Sequence, residues 1–177
     1  MSNILVVCTA NQCRSPLAAA LLRKAVERAG GSHTVLSGGL LEGGEPSPAD
    51  LVEVARRHGI DLTGHRSRQL TPELLDGADL VLGMTKTHVR DISVMHPKAW
   101  PSTFTLREFN RRCDELDLGR MPLPNLVAAI HEGRTTTSML AGGREEDISD
   151  PMGKGFEAFE ELGATLEAET EEAATHL

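Results

Sequence analysis

The first apolar run, Ile4-Leu5-Val6-Val7, is short and β-branched and gives way at once to small and polar residues, which predicts a strand over 3–7 that ends in a loop. Pro16 then opens a segment, 17–29, whose apolar residues recur at helical spacing until Gly30-Gly31 stops it. Residues 33–37 read as a second strand, and the glycines at 38, 39, 43 and 44 with Pro46 make a long loop. The pattern further predicts a helix over 49–58, a third, buried strand within 76–84 around the run Ala78 to Leu82, a helix over 86–95 and a fourth strand within 100–106. A helix over 123–131, a polar loop over 132–149 and an acidic amphipathic helix over 156–175 complete the chain. Short apolar strands alternating with helical pieces predict an α/β fold with a parallel sheet, because parallel neighbours need crossovers and helices fill them. No internal repeat is visible, and the acids of the last helix read as a solvated face.

Composition narrows the picture. At 177 residues the chain is expected to form one domain over 1–177, with 106–149 as a longer, insert-like segment. Twenty-six acidic against 18 basic side chains give a net charge of −8, which argues against nucleic acid or an anionic membrane surface as partner. No run approaches the ~18 apolar residues of a membrane span, and the first apolar run lacks the basic flank of a signal peptide. Three cysteines cannot close a disulfide framework, and a cytoplasmic, reduced protein is expected. Tyr is absent and aromatics make up 3%, so the core must be built from Leu, Val, Ala and Ile.

The chemistry lies in the loop after the first strand, Cys8-Thr9-Ala10-Asn11-Gln12-Cys13-Arg14-Ser15. A thiol stands at the strand's end and an arginine at the far side of a short loop, just before a helix N-terminus. Backbone N–H groups curled around such a loop, together with the helix dipole, make an anion cradle. The planar fork of Arg14 suits two oxygens of a tetrahedral phosphate, and the same positive field favours the thiolate of Cys8. A thiolate on the floor of a phosphate cradle is a nucleophile aimed at phosphorus. Ser15 is placed to hydrogen-bond the sulfur, and Asn11 tolerates the left-handed backbone that so tight a loop needs. The loop is neither Gly-Lys-Ser/Thr nor Gly-x-Gly-x-x-Gly, which excludes the nucleotide-binding motifs.

With Cys8 to Arg14 followed by Ser15-Pro16 at the N-terminus, Ser37-Gly38-Gly39, the run Gly59 to Leu70 and a late Asp150-Pro151, the chain resembles the low-molecular-weight protein tyrosine phosphatase family along almost its whole length. The resemblance implies a three-layer fold, a four-stranded parallel sheet flanked by helices, with the phosphate-binding loop after the first strand. It implies Cys8 as nucleophile, Arg14 as phosphoryl-binding group and Asp150 as general acid, with phosphate held by Thr9, Ala10, Asn11, Gln12, Cys13, Arg14 and Ser15. Asn11, Ser15, Ser37 and His65 match the positions that brace the loop. The expected activity is hydrolysis of phosphotyrosine on a protein substrate through a phosphocysteine intermediate, with no cofactor, metal, nucleic acid or membrane insertion; the oligomeric state is left open.

Three departures bear on the substrate. Met152-Gly153 follow Asp150-Pro151 where family members often carry Tyr, Gln12 stands where many have Ile, and no aromatic occurs in 40–46. A protein arginine phosphatase is therefore the first alternative, followed by an arsenate reductase on the same cradle and by a phosphate-binding module without turnover. Cys13 lies near enough to Cys8 to invite a reversible disulfide, whereas Cys113 stands in a charged stretch with no evident role.

Overall fold

A computed structural model describes residues 2–137 and 144–177. Four strands, β1 (Ser2–Cys8), β2 (His33–Gly39), β3 (Leu80–Gly83) and β4 (Thr103–Thr105), form one parallel sheet in the order β2-β1-β3-β4. Central β1 pairs Ser2 with His33 through Cys8 with Gly39 on one side, and Ile4 with Leu80 through Val7 with Gly83 on the other. Alternation along the strands separates two apolar clusters. Ile4, Val6, Cys8, Leu80, Leu82 and Phe104 join the larger one. Leu5, Val7 and Val81 face a smaller one closed by Leu70, Leu75, Ile92 and Ala99. The helices that build these outer layers are α1 (Arg14–Arg28), α2 (Ala49–Arg57), α3 (Pro72–Asp76), α4 (Lys86–Met95), α5 (Leu106–Glu115), α6 (Leu123–His131) and α7 (Phe156–His176). The result is the expected three-layer α/β fold.

Two helices escape the hydrophobic pattern. α3 has only five residues, started by Thr71, whose side chain accepts from Leu74 N–H, and by Pro72. It takes Asp76 out of the third strand, which begins only at Leu80. α5 is dominated by charged residues, with Leu106, Phe109 and Cys113 as its buried apolar positions at spacings of three and four. Thr105 caps it by accepting from Glu108 N–H at 2.9 Å, the first half of a Thr-x-x-Glu capping box. The fourth strand shrinks to three residues because Pro97–Ser102 forms a 3-10 turn ahead of it. Part of the polar loop expected over 132–149 lies outside the described residues.

The acidic last helix is not simply solvated. Glu160, Glu169 and Glu171 of α7 pair with Arg57, Arg107 and Arg28 of the helices it packs against, and Glu167 pairs with His58, which follows α2. Its apolar face, including Phe159, Leu162 and Leu166, is buried in the larger cluster. Among the described residues no helix is long and apolar enough to cross a membrane.

Candidate active site

β1 delivers Cys8 to the C-terminal edge of the sheet between β2 and β3, the place where a doubly wound sheet opens a crevice. The loop that follows turns back on itself at Asn11, whose φ of 53° is left-handed, and runs directly into α1 at Arg14. Cys8 is buried, with Sγ 3.1 Å from Ser15 Oγ.

Asn11 holds the loop in shape from outside. Its Nδ2 donates to Ser15 Oγ at 2.8 Å and to Ser37 Oγ at 2.9 Å, while Oδ1 accepts from Arg68 N–H at 2.9 Å. His65 Nε2 lies 2.7 Å from the Asn11 carbonyl; a carbonyl only accepts, so this ring nitrogen carries the proton. Ser47 Oγ donates to the Gln12 carbonyl at 2.8 Å. At Gly39 a Cβ would lie 2.7 Å from Asn11 N and 2.8 Å from the Ala10 carbonyl carbon, so only glycine lets β2 close against the loop.

Arg14 is buried and reaches across to residues far along the chain. Nη1 donates to the Ile148 carbonyl at 3.3 Å, and Nη2 donates to Thr9 Oγ1 at 3.4 Å and to Asp150 Oδ2 at 2.5 Å. Asp150, 44% exposed, also accepts from Met152 N–H at 3.1 Å through Oδ1. Pro151 follows and biases the Asp150 backbone toward extended geometry. Cys8, Ala10, Gln12, Cys13, Arg14, Asp150 and Met152 thus line one small cavity of about 80 Å³. Cys13 Sγ meets Met152 Sδ at 3.3 Å. Burial, reinforced by the charges of Asp150 and Cys8 and opposed by Arg14, pushes the Cys13 thiol up to about 12.

The structure brings every candidate site residue to this one corner. It adds four contributors that the sequence pattern does not single out. Ser47 binds the loop from a segment with no motif of its own, and Arg68 binds it from the run Gly59 to Leu70, in which only His65 stands out as a brace. Leu41, 55% exposed, sits beside the loop through its N–H to the Thr9 carbonyl at 3.0 Å. His88 meets Thr9 Oγ1 at 3.0 Å through Nε2. Burial first, and then the charge of Arg14, push its imidazole down to about 4, against a smaller opposing effect of Asp150. Its place in the first turn after β3, at the sheet edge where such sites form, is the one signal the chain offers for it. Among the described residues no group of three or more His, Cys, Asp or Glu is arranged to hold a metal ion.

Residues 3–120 match the family described as low molecular weight phosphotyrosine protein phosphatase. The chain belongs to this family. The phosphatase is 42% identical over 112 residues, 63% of its own chain and 74% of the relative, to the probable low molecular weight protein-tyrosine-phosphatase EpsP of Ralstonia solanacearum. It is 30% identical over 180 aligned positions to the low molecular weight protein-tyrosine-phosphatase Etp of Escherichia coli K12, covering 99% of this chain and 95% of that one. Its fold superposes on the YwlE arginine phosphatase of Geobacillus stearothermophilus with a TM-score of 0.73 at 31% identity, covering 98% and 91% of the two chains. The phosphatase is a cysteine-dependent phosphomonoester hydrolase that acts on phosphorylated substrates.

Proposed function

We propose that the phosphatase hydrolyses phosphotyrosine on protein substrates, with Cys8, Arg14 and Asp150 in the central roles. The carrying observation is that a buried sulfur, a buried guanidinium and a half-exposed carboxylate share one cavity closed by a backbone loop. Cys8 attacks phosphorus in line and displaces the ester oxygen. Loop N–H groups and the Arg14 fork take up charge on the equatorial oxygens, while Asp150, once off Arg14 and carrying a proton taken from solvent or from a singly ionised phosphate ester, protonates the departing oxygen. The resulting phosphocysteine is cleaved by water, whose proton passes to the Asp150 carboxylate. Ser15 Oγ accepts from Asn11, and its one hydroxyl hydrogen has two acceptors in reach, the Cys8 sulfur at 3.1 Å and the Gly38 carbonyl at 3.3 Å. Asn11, Ser37 and His65 keep the loop in its receiving shape.

The aryl reading rests on the rim. Met152, 50% exposed, lines the cavity and offers a phenyl ring an aliphatic wall where family members often place an aromatic, and Leu41, 55% exposed, is a second apolar side chain in the segment that its backbone N–H ties to the loop. A second reading, phosphoarginine, rests on Gln12, which lines the cavity and carries an amide oxygen able to accept from the N–H groups of a phosphoguanidine. The similar proteins divide in the same way, EpsP and Etp being named for tyrosine and YwlE for arginine. Arsenate reduction fits less well, because Cys113 is fully buried in α5 and its thiol is pushed up to about 12 by burial. The free thiols of Cys8, Cys13 and Cys113 suit a cytoplasmic setting.

Turnover of matched phosphotyrosine and phosphoarginine peptides by one sample decides the substrate; the phosphotyrosine peptide is expected to have the larger kcat/KM, and the reverse order replaces the first reading by the second. In the same assay Cys8→Ser is expected to abolish turnover while phosphate still binds, and activity near wild type would remove Cys8 from its role.

A further inference from the structure

We propose that His88 is a positioning residue for Arg14, acting through the hydroxyl of Thr9. The inference rests on the reading that Arg14 binds the phosphoryl group. His88 is fixed in the first turn of α4, where its N–H bonds the Thr85 cap, and it is 3% exposed. Burial and the neighbouring guanidinium keep the ring uncharged, so one nitrogen carries a hydrogen and the other does not. Nδ1 is buried and has no partner among the described residues, whereas Nε2 lies 3.0 Å from Thr9 Oγ1. An orphaned buried N–H is the rarer and costlier arrangement, which places the hydrogen on Nε2, donated to Thr9.

Thr9 Oγ1 then accepts from both His88 Nε2 and Arg14 Nη2, and its two lone pairs are used. This matters when the site works. In the resting protein Arg14 Nη2 is held mainly by Asp150, at 2.5 Å. Asp150 must leave to act as acid, and the contacts that remain on the guanidinium are the Ile148 carbonyl and Thr9. A Thr hydroxyl turns freely unless something fixes it, and His88 points its lone pair at the arginine. The fork then stays in its receiving plane whatever the leaving group.

The test compares His88→Ala, His88→Gln, Thr9→Val and the double variant, each normalised to active enzyme by the phosphoenzyme burst. Inhibition by inorganic phosphate and kcat/KM on esters with good and poor leaving groups are measured. His88→Ala is expected to weaken phosphate inhibition about tenfold and to lower kcat/KM by a similar factor for both esters. His88→Gln, which keeps an N–H donor, should recover most of the loss, and the double variant should be no worse than Thr9→Val alone. A purely structural role would reduce the burst and leave the phosphate inhibition constant unchanged. Unchanged inhibition in His88→Ala, or losses that multiply in the double variant, overturns the proposal. If His88→Ala does not fold, Thr9→Val takes its place: it should weaken phosphate inhibition by the same factor, and unchanged inhibition there overturns the proposal equally. Arg14→Lys is the control: normal phosphate inhibition and turnover there removes the reading of Arg14 itself, whereas a dead Arg14→Lys beside a normal His88→Ala removes only the role of His88.

Discussion

Asp150 and Arg14 form a 2.5 Å ion pair in which one partner is buried and the other half in solvent, so Asp150 can move off and take up a proton while the bound phosphoryl group replaces it as the counter-charge of the buried guanidinium. Its departure is needed only when the leaving oxygen demands a proton. Asp150→Asn is therefore expected to slow alkyl and other poor-leaving-group esters by orders of magnitude more than aryl esters with acidic phenols, read as the ratio of the two kcat values. An equal loss for both would assign Asp150 a structural role. His88 gives a second prediction. Its folded value of about 4 lies below the ordinary 6.5, so between these pH values the unfolded chain binds a proton that the folded chain does not. Its contribution is intact above pH 6.5 and is lost as pH falls toward 4, by up to about 3 kcal/mol for so buried a group. Urea unfolding of wild type and His88→Gln should show wild type losing stability relative to the variant over that window; parallel curves would refute the buried neutral ring. The charged neighbours that set this balance are Arg14 and, in the opposite sense, Asp150.

At the scale of elements, the sequence is readable wherever burial imposes a period. The limits of α4 and α6 coincide with the expected ones, and β1, with its run of buried apolar residues, is unmistakable. α5 escapes the pattern because its buried face is three apolar residues within a run of arginines and acids, and its Thr105 cap is the only local sign. The Cys8 to Ser15 loop is legible from chemistry rather than periodicity, since a thiol and an arginine before a helix start have few other uses. Ser47, Arg68 and His88 are not, because they act across space on a loop far from them in sequence. The acids of α7 look solvated along the chain for a related reason: their partners on α1, α5 and at α2 become visible only in three dimensions. Helix packing supplies the third prediction. A Cβ on Gly163 of α7 would lie 2.7 Å from Val54 Cγ1 of α2 and 2.8 Å from Nε2 of His58, which follows α2. Alanine gains about 1 kcal/mol of helix propensity, but overpacking at such distances costs about 1–3 kcal/mol. Gly163→Ala should therefore lower the urea midpoint, and an unchanged or higher midpoint would mean that α2 and α7 yield without strain.

Over the whole molecule, the net charge of −8 is partly gathered on α7 and is met there by basic residues of other helices, so the excess is less exposed than the composition suggests. These pairs are mostly half in solvent, worth about 0–1 kcal/mol each, and they align packed helices more than they hold them. The clamp on Asn11 has a different reach. It joins residue 11 to Ser37, His65 and Arg68, up to 57 positions away, and the arginine beside it waits for residues 148 and 150. During folding, local contacts close first and the entropy of long loops delays the rest, so secondary structure can return while the left-handed turn at Asn11 still lacks its partners. The cradle is then among the last parts of the chain to acquire a fixed form. In refolding from urea, recovery of phosphatase activity should lag behind recovery of helical circular dichroism, and coincident traces would mean that the loop holds its shape without the clamp. Newly made chains would on this account remain catalytically silent until the C-terminal segment has docked.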